Sequence, residues 1–372
     1  MPVAFEGRLN SNEVFASIYN QIISQTVFAG NIKGTYSSLV DKARVDGTLY
    51  GDTKLYYATD ALVSSPWGTY NEQGQMTESG HGMGESNLFE QFRPADPKCQ
   101  KITLDKFRQI RLTVDNYLSK RAWSTEGAFS SFQSVMLGWI RDTKRIYDAT
   151  LYNTFIGTTE TAKGKQTRTV SVIDGQNDAL TMAVALANLL SELKDVSRDY
   201  NDYGFIRSYD ESDLTIVWNA EAYNQLQNAD LPVVFHKAGL LEEFEQTILP
   251  ARYFGTVNPG ATQGTEDGTV RSLIEQVIGS RHYFPGDSIN IGDTAPAGTS
   301  YTEDNTIAFK IIHKQSAPYM SSFEVSTSFF NPRNLSENHY LTFGYNTLDY
   351  LADKPFITVR FSEAIESPII ED

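Results

Sequence analysis

The sequence predicts an α+β protein in which one very long helix separates an early strand from a later mixed domain. Ile110, Leu112 and Val114 alternate with polar residues, which is typical of a half-buried strand. From Thr125 to Ile156, large apolar residues instead recur every three or four positions, which predicts a helix about 45 Å long. Beyond this helix, short apolar runs alternate with helical patterns, so we expect a second compact domain.

Residues 1–50 are predicted to form an arm with one helix. Apolar residues lie at helical spacing between Asn12 and Phe28, and Gly30 and Gly34 follow them. The first residues lack a basic region followed by an apolar run, and no stretch of the chain reaches the length needed to cross a bilayer. We therefore expect folding in a cytosol, without a membrane partner.

Residues 51–98 show neither helical nor strand periodicity, because glycines and prolines interrupt them throughout. An irregular stretch of this length is unusual in a compact domain, where even about 15 residues is long for a loop. It is nevertheless rich in aromatic rings, which a solvated linker would lack. We interpret it as an extended loop that buries its rings on another subunit; the alternative is a hairpin folded back on its own domain. The predicted contact residues are Tyr56, Tyr57, Trp67, Tyr70, Phe89 and Phe92.

The next segment combines the early strand, Lys101 to Asp115, with the long helix. Ser124 or Thr125 is a suitable N-cap, and Gly157 is a suitable end for this helix. Its apolar stripe is expected to face a core and consists of Phe129, Phe132, Met136, Trp139 and Ile140.

The remaining chain is predicted to form a compact mixed domain and a closing strand. A helix from Gly175 to Asp199 carries an apolar side made of Leu180, Ala183, Val184, Ala187, Leu190 and Leu193. The further predicted elements are strands at Leu214 to Trp218, Thr306 to His313, Phe323 to Phe329 and Phe356 to Phe361, and helices at Ala220 to Leu226 and Val270 to Ile278.

The composition is that of a globular, acidic protein. Of the 372 residues 40% are hydrophobic, which excludes disorder as the default state. The formal charge of −15 argues against a protein that coats phosphate backbones, because such proteins need dense basic patches. A protein container that encloses nucleic acid without binding its phosphates tightly is compatible with this negative charge. The single cysteine, Cys99, allows no disulfide within the chain.

No residue pattern predicts a catalytic, cofactor or metal site. The five histidines lack the close spacing of a helical zinc motif, and the Asp-rich turns lack the ligand ladder of a calcium loop. Gly80 to Gly84 superficially resembles a phosphate-binding loop but lacks the flanking strand and helix, so we interpret it as a turn. We expect no cofactor and no enzymatic activity, although an unrecognised enzyme stays open as an alternative.

Basic residues are densest around the early strand and the long helix. They either pair with acidic patches on neighbouring subunits or line a surface near nucleic acid. We favour the first interpretation, because their density is below that of a nucleic-acid-binding stripe. The residues concerned are Arg108, Arg111, Arg141, Lys144 and Arg145.

The order of the parts resembles the Hong Kong 97 type fold of tailed-phage and encapsulin shells. Arg145-Ile-Tyr-Asp-Ala-Thr-Leu-Tyr-Asn-Thr-Phe-Ile-Gly157 is similar to the end of a capsid spine helix. Leu214-Thr-Ile-Val-Trp-Asn-Ala-Glu-Ala-Tyr-Asn-Gln-Leu226 is similar to the start of an axial domain. Size and the aromatic-rich loop look closest to major head proteins of short-tailed phages of the phi-29 type. The resemblance implies an N-terminal arm (1–50), an extended loop (51–98), a peripheral domain with a spine helix (99–169, helix at about 125–156), an axial domain (170–340) and a return to the peripheral domain (341–372).

The same resemblance implies the function and the partners. We expect a major capsid protein whose hexamers and pentamers close into an icosahedral head around double-stranded DNA. It would be assembled in the host bacterial cytoplasm with a separate or removed scaffolding protein and a portal, and it would end up in the virion shell. The alternatives are an encapsulin-like compartment or another virion part, such as a tail or portal protein.

Overall fold

A computed structural model describes most of the chain in eleven segments, and all structural statements refer to them. They are residues 38–45, 51–62, 68–70, 76–79, 93–115, 126–161, 164–171, 178–228, 245–258, 300–320 and 324–362. The predicted helices at Asn12 to Phe28 and Val270 to Ile278 lie outside these residues.

The described residues contain four α-helices and fifteen short or long strands. The helices are α1 (Ser38–Ala43), α2 (Glu126–Thr158), α3 (Asp178–Lys194) and α4 (Ala220–Asn228). The strands are β1 (Arg44–Val45), β2 (Thr53–Ala58), β3 (Gly68–Tyr70), β4 (Met76–Ser79), β5 (Lys98–Asp115), β6 (Thr167–Val170), β7 (Leu214–Asn219), β8 (Glu245–Leu249), β9 (Gly255–Asn258), β10 (Ser300–Glu303), β11 (Ile307–His313), β12 (Tyr319–Met320), β13 (Glu324–Asn331), β14 (Ser336–Asn346) and β15 (Phe356–Phe361).

A five-stranded sheet forms the centre of the second half of the chain, in the order β6-β15-β11-β7-β8. All seven residues of the middle strand β11 are buried, as expected for a strand that is covered on both faces. Neighbouring residues of each strand point to opposite sides. Val217 and Ile312 join a cluster with α2, whereas Ile216 and Ile311 join a cluster with α3. The sheet therefore lies between the long helix and the pair α3 and α4.

A four-stranded antiparallel sheet, in the order β13-β14-β5-β2, forms the other layer. Its long strand β5 pairs with β2 over residues 98–103 and with β14 over residues 104–115. The predicted alternation holds, since Ile102, Leu104 and Val114 are buried while Lys101, Gln109 and Arg111 are exposed. This sheet packs one face on α2 and leaves the opposite face open among the described residues.

The long helix was correctly predicted, but the role assigned to Gly157 was wrong. Helix α2 continues to Thr158, so Gly157 lies inside it. A Cβ atom at this position would come within 2.0 Å of the Tyr253 carbonyl oxygen. Glycine is therefore needed here for a close backbone approach and does not end the helix.

Two further predictions need correction. The buried side of α3 is centred on Met182, Leu186, Leu189, Leu190 and Leu193, whereas the predicted Val184 is half-exposed. The extended loop was expected to lack regular elements, yet it contains β2 and the β3–β4 hairpin. Short strands are stabilised by their partners rather than by local periodicity, and β2 gains its hydrogen bonds from the well-patterned β5.

The predicted boundary at residues 340 and 341 falls inside one strand. β14 runs from Ser336 to Asn346 and pairs with β5 in the four-stranded sheet. The chain then crosses again, and β15 joins β11 in the five-stranded sheet. The described residues 341–362 thus contribute to both sheets, because each strand pairs where its buried face finds a partner.

Within the described part of the chain, no helix is both long enough and apolar enough to cross a lipid bilayer.

Candidate functional site

The base of the extended loop is a two-stranded ribbon made of β2 and the start of β5, residues 53–58 and 98–103. Its register pairs Leu55 with Lys101 and Tyr57 with Cys99. Side chains alternate across the ribbon, so Leu55 and Tyr57 share one face and are 51% and 65% exposed. Two large apolar groups therefore lie side by side in water on this outer face.

The inner face of the ribbon packs on its own subunit. Tyr56 is half-buried against a small apolar cluster of Ile102, Leu104, Met320 and Leu351, and this burial raises the pKa of Tyr56. The sequence prediction treated Tyr56 and Tyr57 alike. The structure separates them, because adjacent residues of a strand point in opposite directions.

Of the four remaining predicted contact residues, Tyr70 lies within the described part of the chain. Tyr70 is the last residue of β3 and pairs with Met76 in the β3–β4 hairpin. Trp67, Phe89 and Phe92 lie outside the described residues.

The outer face of the ribbon continues along the open face of the four-stranded sheet. Phe107, Gln109, Arg111 and Thr113 are exposed on β5 at every second position. The polar members are joined by side-chain hydrogen bonds: Arg111 Nε donates to Gln109 Oε1 at 2.8 Å, and Gln109 Nε2 donates to Thr342 Oγ1 at 3.2 Å. The sheet therefore presents an ordered polar strip between apolar ends.

The far end of this sheet carries a second group of exposed apolar residues. Phe329, which is 61% exposed, and Phe330 lie just before the last paired residue of β13, and Leu335 lies in the turn to β14. Leu335 has a φ of 54°, a left-handed conformation that a branched side chain rarely adopts. A tight turn thus holds this apolar tip in a fixed position.

Beneath the sheet, a buried polar network holds the long helix in place. The Asp148 carboxylate, fully buried, accepts hydrogen bonds from Lys144 Nζ at 2.8 Å, from Tyr319 Oη at 2.7 Å and from Arg44 Nη2 at 3.3 Å. Arg44 follows α1, so the network ties the end of the N-terminal segment to α2. The network also pairs the buried Asp148 carboxylate with the Lys144 ammonium group, which offsets the free-energy cost of removing both charges from water.

The basic residues do not form a single surface. Lys144 is buried in the Asp148 network, with its Nζ 5.2 Å from the centre of the Phe343 ring, so the prediction that it faces a neighbour or nucleic acid is wrong. Arg108 is half-buried over the Tyr147 ring, with its Cζ 5.1 Å from the ring centre. Arg111, Arg141 and Arg145 are exposed, and Arg111 takes part in the hydrogen bonds of the open sheet face.

The ribbon is also fixed by polar contacts that sequence reasoning missed. Gln100 donates to the Tyr350 carbonyl oxygen at 2.8 Å and accepts from the Ala352 amide at 3.0 Å. Asp60, just after β2, accepts from Arg198 Nη1 at 2.7 Å and from the Ile206 amide at 2.9 Å. These partners are more than 130 residues away in sequence, so no local pattern could have revealed them.

Among the described residues, no group of three or more histidine, cysteine or acidic side chains is placed to hold a metal ion. What the geometry offers is a set of surfaces: an apolar ribbon face, an open polar strip and an apolar hairpin tip. Such surfaces are suited to contacts between protein copies.

The model of the family described as "Phi29-like phage major capsid protein" matches residues 6–356. The chain belongs to this family. As a Phi29-like major capsid protein it is the subunit of an icosahedral phage head and a component of the virion shell, which confirms the predicted function. Membership in this structural family favours a non-enzymatic role.

Solved phage structures agree with the fold of this major capsid protein. A chain of the capsid structure of Staphylococcus phage Andhra is similar at a TM-score of 0.56 and 10% identity, covering 87% of this chain and 83% of that one. A chain from the structure of head fiber and inner core protein gp22 of native bacteriophage P68 has the same TM-score at 12% identity, covering 86% and 83%. The predicted α+β, Hong Kong 97-like fold is thereby confirmed. No curated protein matches the sequence significantly.

Proposed function

We propose that this major capsid protein forms hexamers and pentamers in which the extended loop and the N-terminal arm reach across neighbouring copies. The outer face of the ribbon is the part of the loop base that makes this contact. The observation that carries the proposal is the exposure of Leu55 and Tyr57 on a ribbon whose other face is fixed to its own subunit. We assign the same role to Trp67, Tyr70, Phe89 and Phe92 further along the loop.

Burial of the ribbon face supplies a useful driving force. The exposed parts of the Tyr57 and Leu55 side chains correspond to roughly 2–4 kcal/mol per subunit if a neighbour covers them, before ordering costs are subtracted. Every copy in a closed shell makes this contact, so a modest energy for each is sufficient.

The exposed arginines are proposed to pair with acidic patches on neighbouring copies. The chain has a formal charge of −15, so the surface of a neighbouring copy has more carboxylates than basic groups with which Arg111, Arg141 and Arg145 could pair. The excess of negative charge also disfavours extensive contacts with DNA phosphates. The shell is therefore proposed to enclose double-stranded DNA without sequence-specific contacts.

A scaffolding protein and a portal are proposed as the assembly partners, with assembly in the host bacterial cytoplasm. A subunit with several separate contact surfaces can close with more than one curvature. A scaffold selects one of them.

Replacement of the exposed apolar groups tests the proposal. Tyr57→Ala and the double variant Leu55→Ala with Tyr57→Ala are expected to fold normally, because both side chains point away from the core, but to give few closed shells. Tyr57→Phe is the matched control: it keeps the ring and should assemble as the unchanged protein does. Circular dichroism measures folding, and negative-stain microscopy of particles made with a scaffold measures assembly.

Two results would contradict the proposal. Normal shells from the double variant would show that the ribbon face is not a contact. Loss of folding in Tyr57→Ala would show that this ring belongs to the core of its own subunit. Trp67→Ala and Phe89→Ala extend the same test along the loop.

A further inference from the structure

The loop between α3 and β7 contains a preformed docking place, residues 197–207, which we term the receiving loop. Ser197 and Arg207 exchange two backbone hydrogen bonds, at 2.9 and 3.0 Å, and so close the loop. Inside it, the Asn201 side chain donates to the Phe205 carbonyl oxygen at 2.7 Å and accepts from the Phe205 amide at 2.8 Å. The loop thus has a defined shape without help from the ribbon.

Two arginines of the receiving loop hold the end of β2. Arg198 Nη1 donates to Asp60 Oδ2 at 2.7 Å and to the Gly204 carbonyl oxygen at 2.7 Å. Arg207 Nη2 donates to the Thr59 carbonyl oxygen at 2.7 Å, and the Arg207 Cζ lies 5.5 Å from the centre of the Phe205 ring. Each guanidinium therefore contacts its own loop as well as the end of the ribbon.

The Asp60 carboxylate is the centre of this contact. Its Oδ1 accepts from the Ile206 and Ala61 amides, both at 2.9 Å, while Oδ2 accepts from Arg198. The Ile206 amide and the Arg198 guanidinium lower the pKa of Asp60 to about 2. A group with a lowered pKa stabilises the folded form above its ordinary value of 3.8 and loses that effect as the pH falls through about 2, so the contact is complete at neutral pH.

The second strand of the ribbon is held at a different point. Gln100 on β5 bonds to the backbone of Tyr350 and Ala352, and Ala352 in turn accepts from the Asp202 amide of the receiving loop at 2.7 Å. Both strands of the ribbon are thus joined by hydrogen bonds to the same neighbourhood. The apolar contacts of Tyr56 are less directional, because dispersion and hydrophobic burial depend weakly on angle.

We infer that Asp60, with Arg198 and Arg207, is a positioning clamp that fixes the direction in which the extended loop leaves the subunit. This inference rests on the proposed function, since a fixed direction matters only if the loop must meet a neighbouring copy. Directional hydrogen bonds at the clamp set an angle that the apolar cluster alone leaves adjustable. A small change of angle at the base displaces the tip of a long loop by a much larger distance.

Distance measurements between two spin labels test the clamp in the unassembled full-length chain. Cys99 is exposed on the ribbon and provides one site, and Val184→Cys, half-exposed on α3, provides the other. The otherwise unchanged protein is expected to give one narrow distance distribution. Asp60→Ala is expected to lose that single distance and to give a broad or two-component distribution.

Two further variants make the comparison specific. Arg198→Ala changes a half-exposed side chain and should broaden the distribution less, because the bond from the Ile206 amide to Asp60 is kept. Asp96→Ala removes an exposed carboxylate from the same extended loop, before β5, and should leave the distances unchanged. Without spin labels, Asp60→Ala should also assemble severalfold more slowly than Asp96→Ala at neutral pH, under conditions in which circular dichroism shows both variants to be fully folded.

Unchanged distances in Asp60→Ala would overturn the clamp. Broadened distances with a normal assembly rate would overturn its role in assembly. The proposed function is tested separately, by shell assembly of the double variant Leu55→Ala with Tyr57→Ala. Normal shells from that variant would contradict the proposed function whatever the label distances are.

Discussion

Lys310 places a charged group at the centre of the five-stranded sheet. It is fully buried in β11, and its Nζ donates to the Thr159 carbonyl oxygen, just beyond the end of α2, at 2.7 Å. Burial lowers the pKa of this amine to about 7; Glu160 and Asp304 oppose that shift, and Arg360 adds to it. The amine therefore joins the helix end to the sheet at the cost of desolvation.

Lys310→Met is expected to flatten the pH dependence of stability between about pH 7 and 10.5. In this window the unfolded chain binds a proton that the folded chain lacks, so the stability of the unchanged protein rises with pH. Below about pH 7 both states are protonated, and the folded state keeps the full cost of a buried ammonium, an upper bound of roughly 5 kcal/mol.

Urea unfolding at pH 6 and pH 9 measures this difference. The increase in the free energy of unfolding caused by Lys310→Met should be largest at pH 6. This increase is reduced by about 1–3 kcal/mol, because the Thr159 carbonyl loses its hydrogen-bond donor. An equal pH slope in both proteins would show that Lys310 does not titrate in this range.

At the scale of the element, helix α2 depends on one residue without a side chain. Gly157 lies against the backbone of the short 3-10 helix Ala251–Tyr253. This contact brings two backbone segments closer than any side chain allows, and it fixes the end of α2 against the sheet that contains β8.

Gly157→Ala is expected to destabilise the protein by about 2–4 kcal/mol, because its Cβ would collide with the Tyr253 carbonyl and move backbone atoms. Gly138→Ala in the same helix is the matched control. No described atom lies within 4 Å of its added Cβ, so alanine should stabilise the helix by about 0.5–1 kcal/mol. Thermal unfolding of both variants measures the contrast. Equal effects would contradict the close approach.

Elements with a strong local period were predictable, and elements that depend on distant partners were not. α2, β5, β7, β11 and β15 follow from their apolar spacing alone. β2 has no such signal, since its pairing with β5 stabilises it. The buried side of α3 was misplaced because alanines and leucines cover most of its surface and leave the direction of burial ambiguous.

The same distinction applies to the candidate site. Aromatic content in a segment without periodicity predicted the extended loop, and Tyr57 is exposed on the outer face of its base. Charge alone could not separate Lys144, which is buried beside Asp148, from the exposed Arg141 three residues before it. The Asp60 clamp depends on residues of the receiving loop far along the chain, which only the fold brings together.

At the scale of the whole molecule, copies with a formal charge of −15 must approach one another closely. Assembly is therefore expected to become faster when ionic strength rises from about 0.01 M to 0.1 M, because the screening length falls from roughly 30 Å to 10 Å. Light scattering of subunits with a scaffold follows the rate, and urea unfolding over the same range controls for stability. A rate that falls with salt would show that ion pairs between copies outweigh the net repulsion.

The sheets combine strands from distant parts of the chain, and this has a consequence for synthesis. β15, at residues 356–361, lies between β6 and β11, and the four-stranded sheet needs β13 and β14 beside β5. A chain still emerging from a ribosome cannot complete the four-stranded sheet before residues 336–346 are translated, or the five-stranded sheet before residues 356–361 are. Incomplete polypeptides on neighbouring ribosomes are consequently expected to lack the finished surfaces for joining one another.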